Sequence, residues 1–319
     1  MERGEVMLAE KIYHSDETLK NRIYNEDCNS YLSRLDDRSV DLFLFDPPYM
    51  NVVKDSWDKQ WKTIEDYKQW CESWIKICEQ KAKYSASFWV FGFPYQLAHL
   101  LPIFEKYNFK FRQQIVIWKG MKSAAGRVSD KLKMYPTTTE SAFFFAYDSI
   151  PIIKNMLQEK KKQSGMTSSQ INVALGKASN GGGTWSQIAG PRQKTPVQPT
   201  KEDWLKLSQI FGGLPAYEDM VFKFNLPFGF SDVWDDISFY FKRGTKLHTT
   251  QKPESLIERI VLSSSDPGDF VVDAFLGSGT TAAVSKKTGR FYGGCEMDQD
   301  YFNKSVERLN EIVIDNQLV

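Results

Sequence analysis

Short apolar runs alternate with segments of helical periodicity along most of the chain. Residues 41–45, 87–92 and 270–273 are almost uninterrupted apolar runs, as is typical of strands buried on both faces of a parallel sheet. Over residues 66–84, large apolar side chains recur at helical spacing, which indicates an amphipathic helix packed against that sheet. The alternation predicts an α/β fold with a doubly wound, mostly parallel sheet of Rossmann-like form.

The predicted elements occupy both ends of the chain. Strands are predicted at residues 22–26, 41–45, 87–92, 113–118, 141–147, 270–273 and 290–295. Helices are predicted at residues 30–35, 66–84, 95–107, 168–175, 201–211, 253–265, 280–288 and 299–314. In a doubly wound sheet, ligands bind where the strand order reverses, and we expect strands 41–45 and 270–273 to lie side by side there.

The middle of the chain has a different composition. Residues 151–200 contain seven Lys or Arg residues against a single acid, Glu159, and they also contain Gly181-Gly182-Gly183. This composition does not fit a continuation of the sheet. We therefore predict one α/β domain formed by residues 1–150 and 240–319, with an inserted region at residues 151–239.

The overall charge and the cysteines exclude several classes of protein. Lys and Arg number 41 against 40 Asp and Glu, so no global attraction to nucleic acid or membrane is expected. The four cysteines have neither metal-type spacing nor the density of a secreted scaffold, which favours reduced thiols and no metal site. We find neither a signal-type apolar segment nor a run as long as a membrane span. These features predict a soluble, cytoplasmic protein.

Two local clusters of basic residues point to a nucleic-acid surface. A lone run of lysines is usually a solvated surface, but here one cluster follows a predicted strand and the other lies in the inserted region. Together they favour a surface that faces nucleic acid. The candidate contacts are Lys119, Lys122, Arg127, Lys131, Lys133, Arg192 and Lys194.

The first candidate for chemistry is the tetrapeptide Asp46-Pro47-Pro48-Tyr49, which follows the apolar run at residues 41–45. Two consecutive prolines remove two backbone donors and forbid a helix at this point. The tetrapeptide therefore forms a rigid polar loop at a strand end, where open α/β sheets bind their ligands.

The second candidate is the glycine loop at residues 277–279, between a predicted strand and a predicted helix. Such a loop lets a ligand approach the backbone and directs amide groups toward it. Gly277-Ser278-Gly279-Thr280-Thr281 lacks the lysine of a P-loop and the third glycine of a dinucleotide fingerprint, which disfavours ATP and NAD. Glu296, at the end of the next strand, is placed to accept hydrogen bonds from ribose hydroxyls. A nucleoside without a phosphate fits this set best.

These motifs resemble those of the amino-methylating DNA methyltransferases of the β-class arrangement. The early Asp46-Pro47-Pro48-Tyr49 motif, the central basic insertion and the late AFLGSGTT loop at residues 274–281 occur in the order of that family. Thr250-Gln251-Lys252-Pro253 and Asn25-Glu26-Asp27-Cys28 add to the likeness. The resemblance implies a catalytic methyltransferase domain, with residues 151–239 as its target-recognition region.

The resemblance also implies a cofactor, S-adenosylmethionine, and a set of residues that hold it. Its methionine and ribose side would be lined by Phe275, Gly277, Ser278, Gly279 and Thr280, with Glu296 on the ribose. Asp27 and Cys28 would lie at the adenine, Lys252 near the methionine carboxylate, and Asp46 between the cofactor and the substrate. For Asp273, two roles stay open: a contact with the cofactor, or a structural role in which it bonds loop amides.

The implied reaction is methylation of an exocyclic amine on a base flipped out of duplex DNA. The amine's lone pair is delocalised into the ring, so acceptors must draw on its hydrogens; the Asp46 carboxylate and the Pro47 carbonyl would do so, with Pro48 fixing the loop. Tyr49 would stack on the base. Transfer is expected to be direct, with no metal. Within the family, Asp at the first position favours adenine N6.

Several alternatives stay open at this stage. The nearest is methylation of cytosine N4 by the same chemistry, and a more distant one is methylation of RNA or of a protein glutamine amide. A DNA-binding protein that keeps the fold without turnover belongs to a different class, and a nicotinamide dehydrogenase is disfavoured by the incomplete glycine fingerprint. A homodimer and a restriction endonuclease partner are compatible with the resemblance, as is association with the nucleoid through DNA.

Overall fold

The computed structural model describes residues 19–50, 61–120, 133, 135–177, 183–225, 229–239 and 251–312. The strands are β1 (Arg22–Tyr24), β2 (Val40–Phe45), β3 (Ala82–Gly92), β4 (Phe109–Trp118), β5 (Thr139–Tyr147), β6 (Val233–Trp234), β7 (Phe270–Asp273) and β8 (Phe291–Cys295). The helices are α1 (Cys28–Arg34), α2 (Ile64–Lys81), α3 (Pro94–Lys106), α4 (Ile150–Ser164), α5 (Ser168–Ala174), α6 (Thr184–Ala189), α7 (Lys201–Phe211), α8 (Tyr217–Met220), α9 (Glu254–Ser264), α10 (Thr280–Lys287) and α11 (Gln299–Glu311).

The described strands form one sheet in the order β1-β8-β7-β2-β3-β5-β4-β6. All neighbouring pairs are parallel except those of β5, which runs antiparallel to both β3 and β4. This arrangement confirms the predicted mostly parallel α/β sheet. The predicted adjacency of the two motif-bearing strands is also confirmed, because Leu42 of β2 pairs with Val271 of β7.

The central strands are largely apolar and buried because helices cover both faces of the sheet. All six residues of β2 are buried, and successive side chains point to opposite faces. Phe43 and Phe45 pack with Phe88 in one layer of the core, whereas Leu42 and Leu44 pack in the layer on the other face. Burial on both faces explains why a period-two alternation of polar and apolar residues is missing here.

Helices α4 to α8 form a small helical unit with a core of its own. Ile153 and Leu157 of α4 lie one turn apart and pack in the same cluster as Trp185, Trp204 and Leu207. Helices α5 and α7 match the sequence prediction closely. The sequence did not predict helix α4, because its four lysines obscure the narrow apolar stripe that packs into this core.

Several element boundaries differ from the sequence prediction, and two of these differences change the extent of the sheet. Helix α2 ends at Lys81 and β3 begins at Ala82, so the strand starts five residues earlier than expected. Strand β6 adds to the sheet edge through the pairing of Val233 with Val116. The chain thus returns to the sheet before the predicted boundary at residue 240. The sequence did not predict β6, because a strand of two residues is too short to show a pattern of apolar positions. No helix within the described ranges is long and apolar enough to cross a membrane.

Candidate functional site

Four parallel strands bring their acidic residues to one edge of the sheet. Strands β1, β8, β7 and β2 are consecutive neighbours and all parallel, so their carboxyl ends lie together. Asp27 follows β1, Glu296 follows β8, Asp273 ends β7 and Asp46 follows β2. Residues far apart in sequence therefore converge on the edge where open α/β sheets bind ligands.

The Asp46 carboxylate is held by two donors, one on each oxygen. The Tyr49 hydroxyl donates to Oδ1 at 2.5 Å, and the Lys252 ammonium donates to Oδ2 at 2.6 Å. The Tyr67 hydroxyl donates to the Pro48 carbonyl at 3.2 Å and braces the loop. Each Asp46 oxygen keeps further acceptor capacity, so the carboxylate is oriented while it is still able to accept another donor.

Glu140 on β5 completes a buried ionic cluster around the tetrapeptide. Its Oε1 accepts from Lys252 Nζ at 2.8 Å and from the Tyr49 hydroxyl at 3.2 Å, and its Oε2 lies 3.2 Å from Lys119 Nζ. Both Lys252 and Glu140 are buried. The cluster thus contains two carboxylates, two ammonium groups and one phenol that links the carboxylates.

The charges within the cluster fix its protonation states. Burial raises the pKa of Glu140, but the ammonium groups of Lys252 and Lys119 outweigh this effect and lower the pKa to about 2. Burial lowers the pKa of Lys252, and the carboxylates of Asp46 and Glu140 more than offset it, so that pKa lies above its ordinary value. Burial and the same carboxylates raise the pKa of Tyr49 well above its ordinary value, which keeps its hydroxyl a donor.

The glycine loop joins β7 to the N-terminus of α10. Gly277 and Gly279 adopt φ angles of 51° and 71°, a left-handed conformation that glycine takes at little cost. The amide of Gly277 donates to Glu296 Oε2 at 2.7 Å, and the amide of Gly279 donates to the Leu276 carbonyl at 2.8 Å. Ser278, Gly279 and Thr280 are buried, whereas Gly277 is half-buried and is the more accessible residue of the loop.

Helix α11 supports the glycine loop from behind. The Ser305 hydroxyl donates to the Gly277 carbonyl at 2.9 Å. The Arg308 guanidinium donates to the Ser278 carbonyl and to Thr280 Oγ1, both at 3.0 Å. Sequence reasoning missed these two residues, although their position one helical turn apart on the last predicted helix is a signal that they share a face.

The Asp273 side chain bonds the loop that follows β7, which is compatible with its structural alternative, and its contact with the cofactor stays a prediction. Its Oδ1 accepts from the Phe275 amide at 3.0 Å and its Oδ2 accepts from the Thr281 hydroxyl at 2.6 Å. Burial raises the pKa of Asp273 to about 7, while these two hydrogen bonds oppose the rise. The side chain thus closes the turn that leads into α10.

The residues predicted at the adenine lie at the start of α1. Asp27 caps this helix and accepts from the amides of Asn29 and Ser30 at 3.0 and 3.1 Å. Burial, helped by the neighbouring Asp27 charge, raises the pKa of Cys28 to about 12. Its thiol is therefore protonated, as expected for a residue that is not a nucleophile.

Phe275 lies between the two loops. Its ring contacts Phe45 at 5.4 Å and Trp70 at 5.7 Å between centroids, so it extends the aromatic core up to the site. The described residues contain no cluster of three or more His, Cys, Asp or Glu side chains that would hold a metal ion.

The predicted DNA contacts have different surroundings. Lys133, Arg192 and Lys194 are exposed. Lys119 is engaged with Glu140, and its ammonium also lies 5.3 Å from the ring centroid of Phe239. Lys122, Arg127 and Lys131 lie outside the described residues.

Sequence reasoning missed Glu140 for a physical reason. The residue lies near the amino end of β5, and a strand's apolar pattern does not reveal its direction. Because β5 runs antiparallel to β3, its amino end lies at the same edge as the carboxyl end of β2. A carboxylate at the end of a buried apolar run was the available signal, and the same signal singled out Asp46.

The fold is that of the α/β methyltransferases. The chain superimposes on PvuII DNA methyltransferase, described as cytosine-N4-specific, with a TM-score of 0.55 and 17% identity over 91% of this chain and 87% of that chain. It also superimposes on a complex of M1.HpyAVI with SAM, with a TM-score of 0.53 and 18% identity over 91% of this chain and 98% of that chain.

The chain belongs to the DNA methylase family of N6 and N4 methyltransferases, whose sequence profile matches residues 40–307. It is 28% identical to the type II methyltransferase M1.MboII of Moraxella bovis over 304 residues, which are 92% of this chain and 98% of that protein. It is 27% identical to the type II methyltransferase M.HinfI of Haemophilus influenzae over 307 residues, 92% of this chain and 69% of that protein.

Proposed function

We propose that this chain transfers a methyl group from S-adenosylmethionine to the N6 amine of an adenine flipped out of duplex DNA. One observation carries the proposal. The Asp46 loop and the glycine loop end neighbouring parallel strands, β2 and β7, so an amine acceptor and a nucleoside-type loop open on one crevice. Membership of the DNA methylase family supports duplex DNA as the substrate.

S-adenosylmethionine supplies an electrophilic methyl group when bound. The residues at the glycine loop fit such a ligand, because the half-buried Gly277 has no side chain to keep a ligand from the loop and its amide already orients the Glu296 carboxylate. Glu296 would accept from the ribose hydroxyls. The other residues proposed to line the cofactor are Asp27, Cys28, Lys252, Phe275, Ser278 and Thr280. M1.HpyAVI, which shares the fold, has been solved with SAM bound.

Asp46 and the Pro47 carbonyl would accept the two hydrogens of the target amine. These contacts localise the lone pair on nitrogen, and the loop geometry is in place before the reaction. The nitrogen lone pair would form the new N–C bond while the electron pair of the breaking C–S bond would leave on the cofactor's sulfur, and one amine proton would be released to water. Tyr49 would stack on the flipped base. Stacking of a base on an aromatic ring contributes roughly 1 to 3 kcal/mol, which would offset part of the free-energy cost of unstacking the base from the duplex.

Adenine is favoured over cytosine by the first residue of the tetrapeptide. Family members with Asp at this position usually methylate adenine, and Ser at this position is common among cytosine-N4 enzymes. The second candidate is cytosine N4, because the neighbouring PvuII structure is described as cytosine-N4-specific. Both amines are exocyclic and conjugated with a ring, so the same acceptors serve either reaction.

Nucleoside analysis tests the proposal. The chain would be expressed in a host without DNA methylation, and its genomic DNA digested to nucleosides and separated by mass spectrometry. N6-methyl-2′-deoxyadenosine that disappears in the Asp46→Ala variant is the expected result. Recovery of N4-methyl-2′-deoxycytidine alone would overturn the choice of base, and recovery of neither would overturn the assigned activity. Sequencing the same DNA would identify the target.

A further inference from the structure

A single buried cation lies between two carboxylates beside the reacting amine's proposed position. Lys252 Nζ is 2.6 Å from Asp46 Oδ2 and 2.8 Å from Glu140 Oε1. Lys252 and Glu140 are 8% and 5% exposed, so water screens this arrangement weakly. The ammonium is thus shared almost equally between the acid of the tetrapeptide and an acid from a different strand.

This sharing decides how much negative charge Asp46 retains. An ammonium paired with Asp46 alone would cancel the carboxylate's charge, because the two form one close ion pair. Glu140 adds a second negative charge beside the same ammonium. The lysine therefore does not fully neutralise Asp46, which keeps a net negative character. Lys119 meets Glu140 on its other oxygen, at 3.2 Å, and its side chain is 36% exposed, so solvent weakens its contribution.

Glu140 also contacts the second donor to Asp46. The Tyr49 hydroxyl lies within hydrogen-bond distance of both Asp46 Oδ1 and Glu140 Oε1. Glu140 of β5 therefore contacts both groups that orient the acid at the end of β2.

We propose that Glu140 is a positioning residue for methyl transfer, which holds Lys252 and Tyr49 in place and shares the lysine's charge so that Asp46 stays negative. The inference rests on the proposed function. The target nitrogen becomes positively charged as its lone pair forms the new bond, and a carboxylate with uncancelled charge stabilises that transition state more than a neutralised one. Glu140 itself acts through Lys252 and Tyr49.

The first test is the Glu140→Gln variant, assayed by single-turnover methylation with both substrates saturating. The transfer rate should fall roughly 10- to 100-fold, the effect typical of losing a residue that orients a functional side chain. In steady-state assays the KM for DNA should change less than about twofold, because Glu140 is buried and the proposed DNA contacts Arg192 and Lys194 are unchanged. Asp41→Asn is the matched control, since Asp41 is a buried acid paired with Lys83 at the other end of β2; it should keep the wild-type rate.

A second comparison separates charge sharing from packing. Lys252→Met removes the cation between Asp46 and Glu140 and leaves the partly exposed Lys119 on the other oxygen of Glu140, so repulsion between the two carboxylates favours protonation of one of them. Adding Glu140→Gln removes that repulsion, so the double variant should transfer methyl groups several-fold faster than Lys252→Met at neutral pH.

The outcomes distinguish this inference from the proposed function. A wild-type chain that methylates no DNA refutes the function. In an active chain, an unchanged transfer rate in Glu140→Gln, or a double variant no faster than Lys252→Met, overturns the role of Glu140. If Glu140→Gln does not fold, Glu140→Asp replaces it, because it keeps the charge but shortens the reach to Lys252 and Tyr49; a wild-type transfer rate in Glu140→Asp then overturns the role of Glu140.

Discussion

The Glu296 carboxylate accepts a hydrogen bond from the Gly277 amide at 2.7 Å, which ties the end of β8 to the glycine loop after β7. Its other oxygen accepts from the Asp298 amide at 2.9 Å. Burial raises the pKa of Glu296, and these backbone hydrogen bonds oppose the rise. The side chain therefore both orders the loop and keeps acceptor capacity for a ligand.

Replacing Glu296 should weaken cofactor binding. Hydrogen bonds to a charged group contribute about 1.5 to 3 kcal/mol, so Glu296→Ala should raise the Kd for S-adenosylmethionine roughly 10- to 100-fold in calorimetric titrations. Glu296→Gln keeps an acceptor for the Gly277 amide and should therefore raise this Kd less than Glu296→Ala does. Glu202→Gln, on the surface of the helical unit, should bind normally. Wild-type affinity in Glu296→Ala would remove this residue from the cofactor site.

Two glycines with similar backbone angles allow a paired test of the loop. Gly279 and Gly268 have φ angles of 71° and 87°. A methyl group on Gly279 would lie 3.0 Å from Ser305 Cβ, whereas one on Gly268 meets nothing within 4 Å. Gly268→Ala should therefore cost only the left-handed conformation, about 1 to 2 kcal/mol.

Gly279→Ala should destabilise the protein by more than Gly268→Ala in urea unfolding. It should also weaken S-adenosylmethionine binding, since the backbone of this loop is the proposed contact, whereas Gly268→Ala should bind the cofactor normally. Equal losses of stability in the two variants would show that Ser305 can move away from the added methyl group on residue 279 without a cost in stability.

Much of the sheet could be predicted because its apolar runs are long and end in distinctive residues. The run at residues 41–45 ends at Asp46, and the run at residues 270–273 leads into the glycine loop. Strand direction and the shortest elements were not predictable from such patterns. The antiparallel direction of β5 and the presence of the two-residue β6 depend on pairing with β4, which is distant in sequence from β6.

The candidate site was predictable to the extent that its residues lie in local motifs. Asp46 and Gly277 belong to such motifs, and each could be singled out from its neighbours in sequence. The pairing of Lys252 with Asp46 and Glu140 joins residues separated by 206 and 112 positions, respectively, on three different segments. Such a contact depends on tertiary structure, and no local spacing reports it.

The raised pKa of Asp273 predicts a stability that falls as pH rises. The carboxyl has a pKa of about 7 in the fold against 3.8 ordinarily, so the folded state binds its proton more tightly than the unfolded state does. The ionisation of Asp273 lowers the free energy of unfolding. This loss is absent below about pH 4, grows between about pH 4 and pH 7, and stays constant at higher pH, where it reaches up to roughly 4 kcal/mol.

Asp273→Asn should flatten this pH dependence, because an amide side chain does not titrate. The fold should be kept, because the amide can still accept from the Phe275 backbone N–H and can donate to the Thr281 hydroxyl. Urea unfolding of both proteins across that pH window provides the measurement. The variant should gain stability relative to wild type as pH rises. A constant difference between the two proteins would show that Asp273 does not titrate in this window.

Arg192 and Lys194 offer a test of the proposed DNA surface through salt dependence. Each phosphate contact on B-DNA contributes about 0.9 to the slope of log K against log salt concentration. If both residues contact phosphates, the Arg192→Ala/Lys194→Ala double variant should lower the slope by up to about 2 and weaken binding similarly for all sequences. Fluorescence anisotropy with a labelled duplex at several salt concentrations measures both quantities.

The matched control for this pair lies in the same helical unit. Lys201 and Lys206 of α7 are paired with Glu218 and Glu202 at 2.5 and 2.6 Å, so their charges are already partly compensated. The Lys201→Ala/Lys206→Ala variant removes the same formal charge and should leave the salt slope close to that of the wild-type protein. An equal fall in both variants would mean that net charge alone governs DNA binding. A wild-type slope in Arg192→Ala/Lys194→Ala would place the phosphate contacts elsewhere on the molecule.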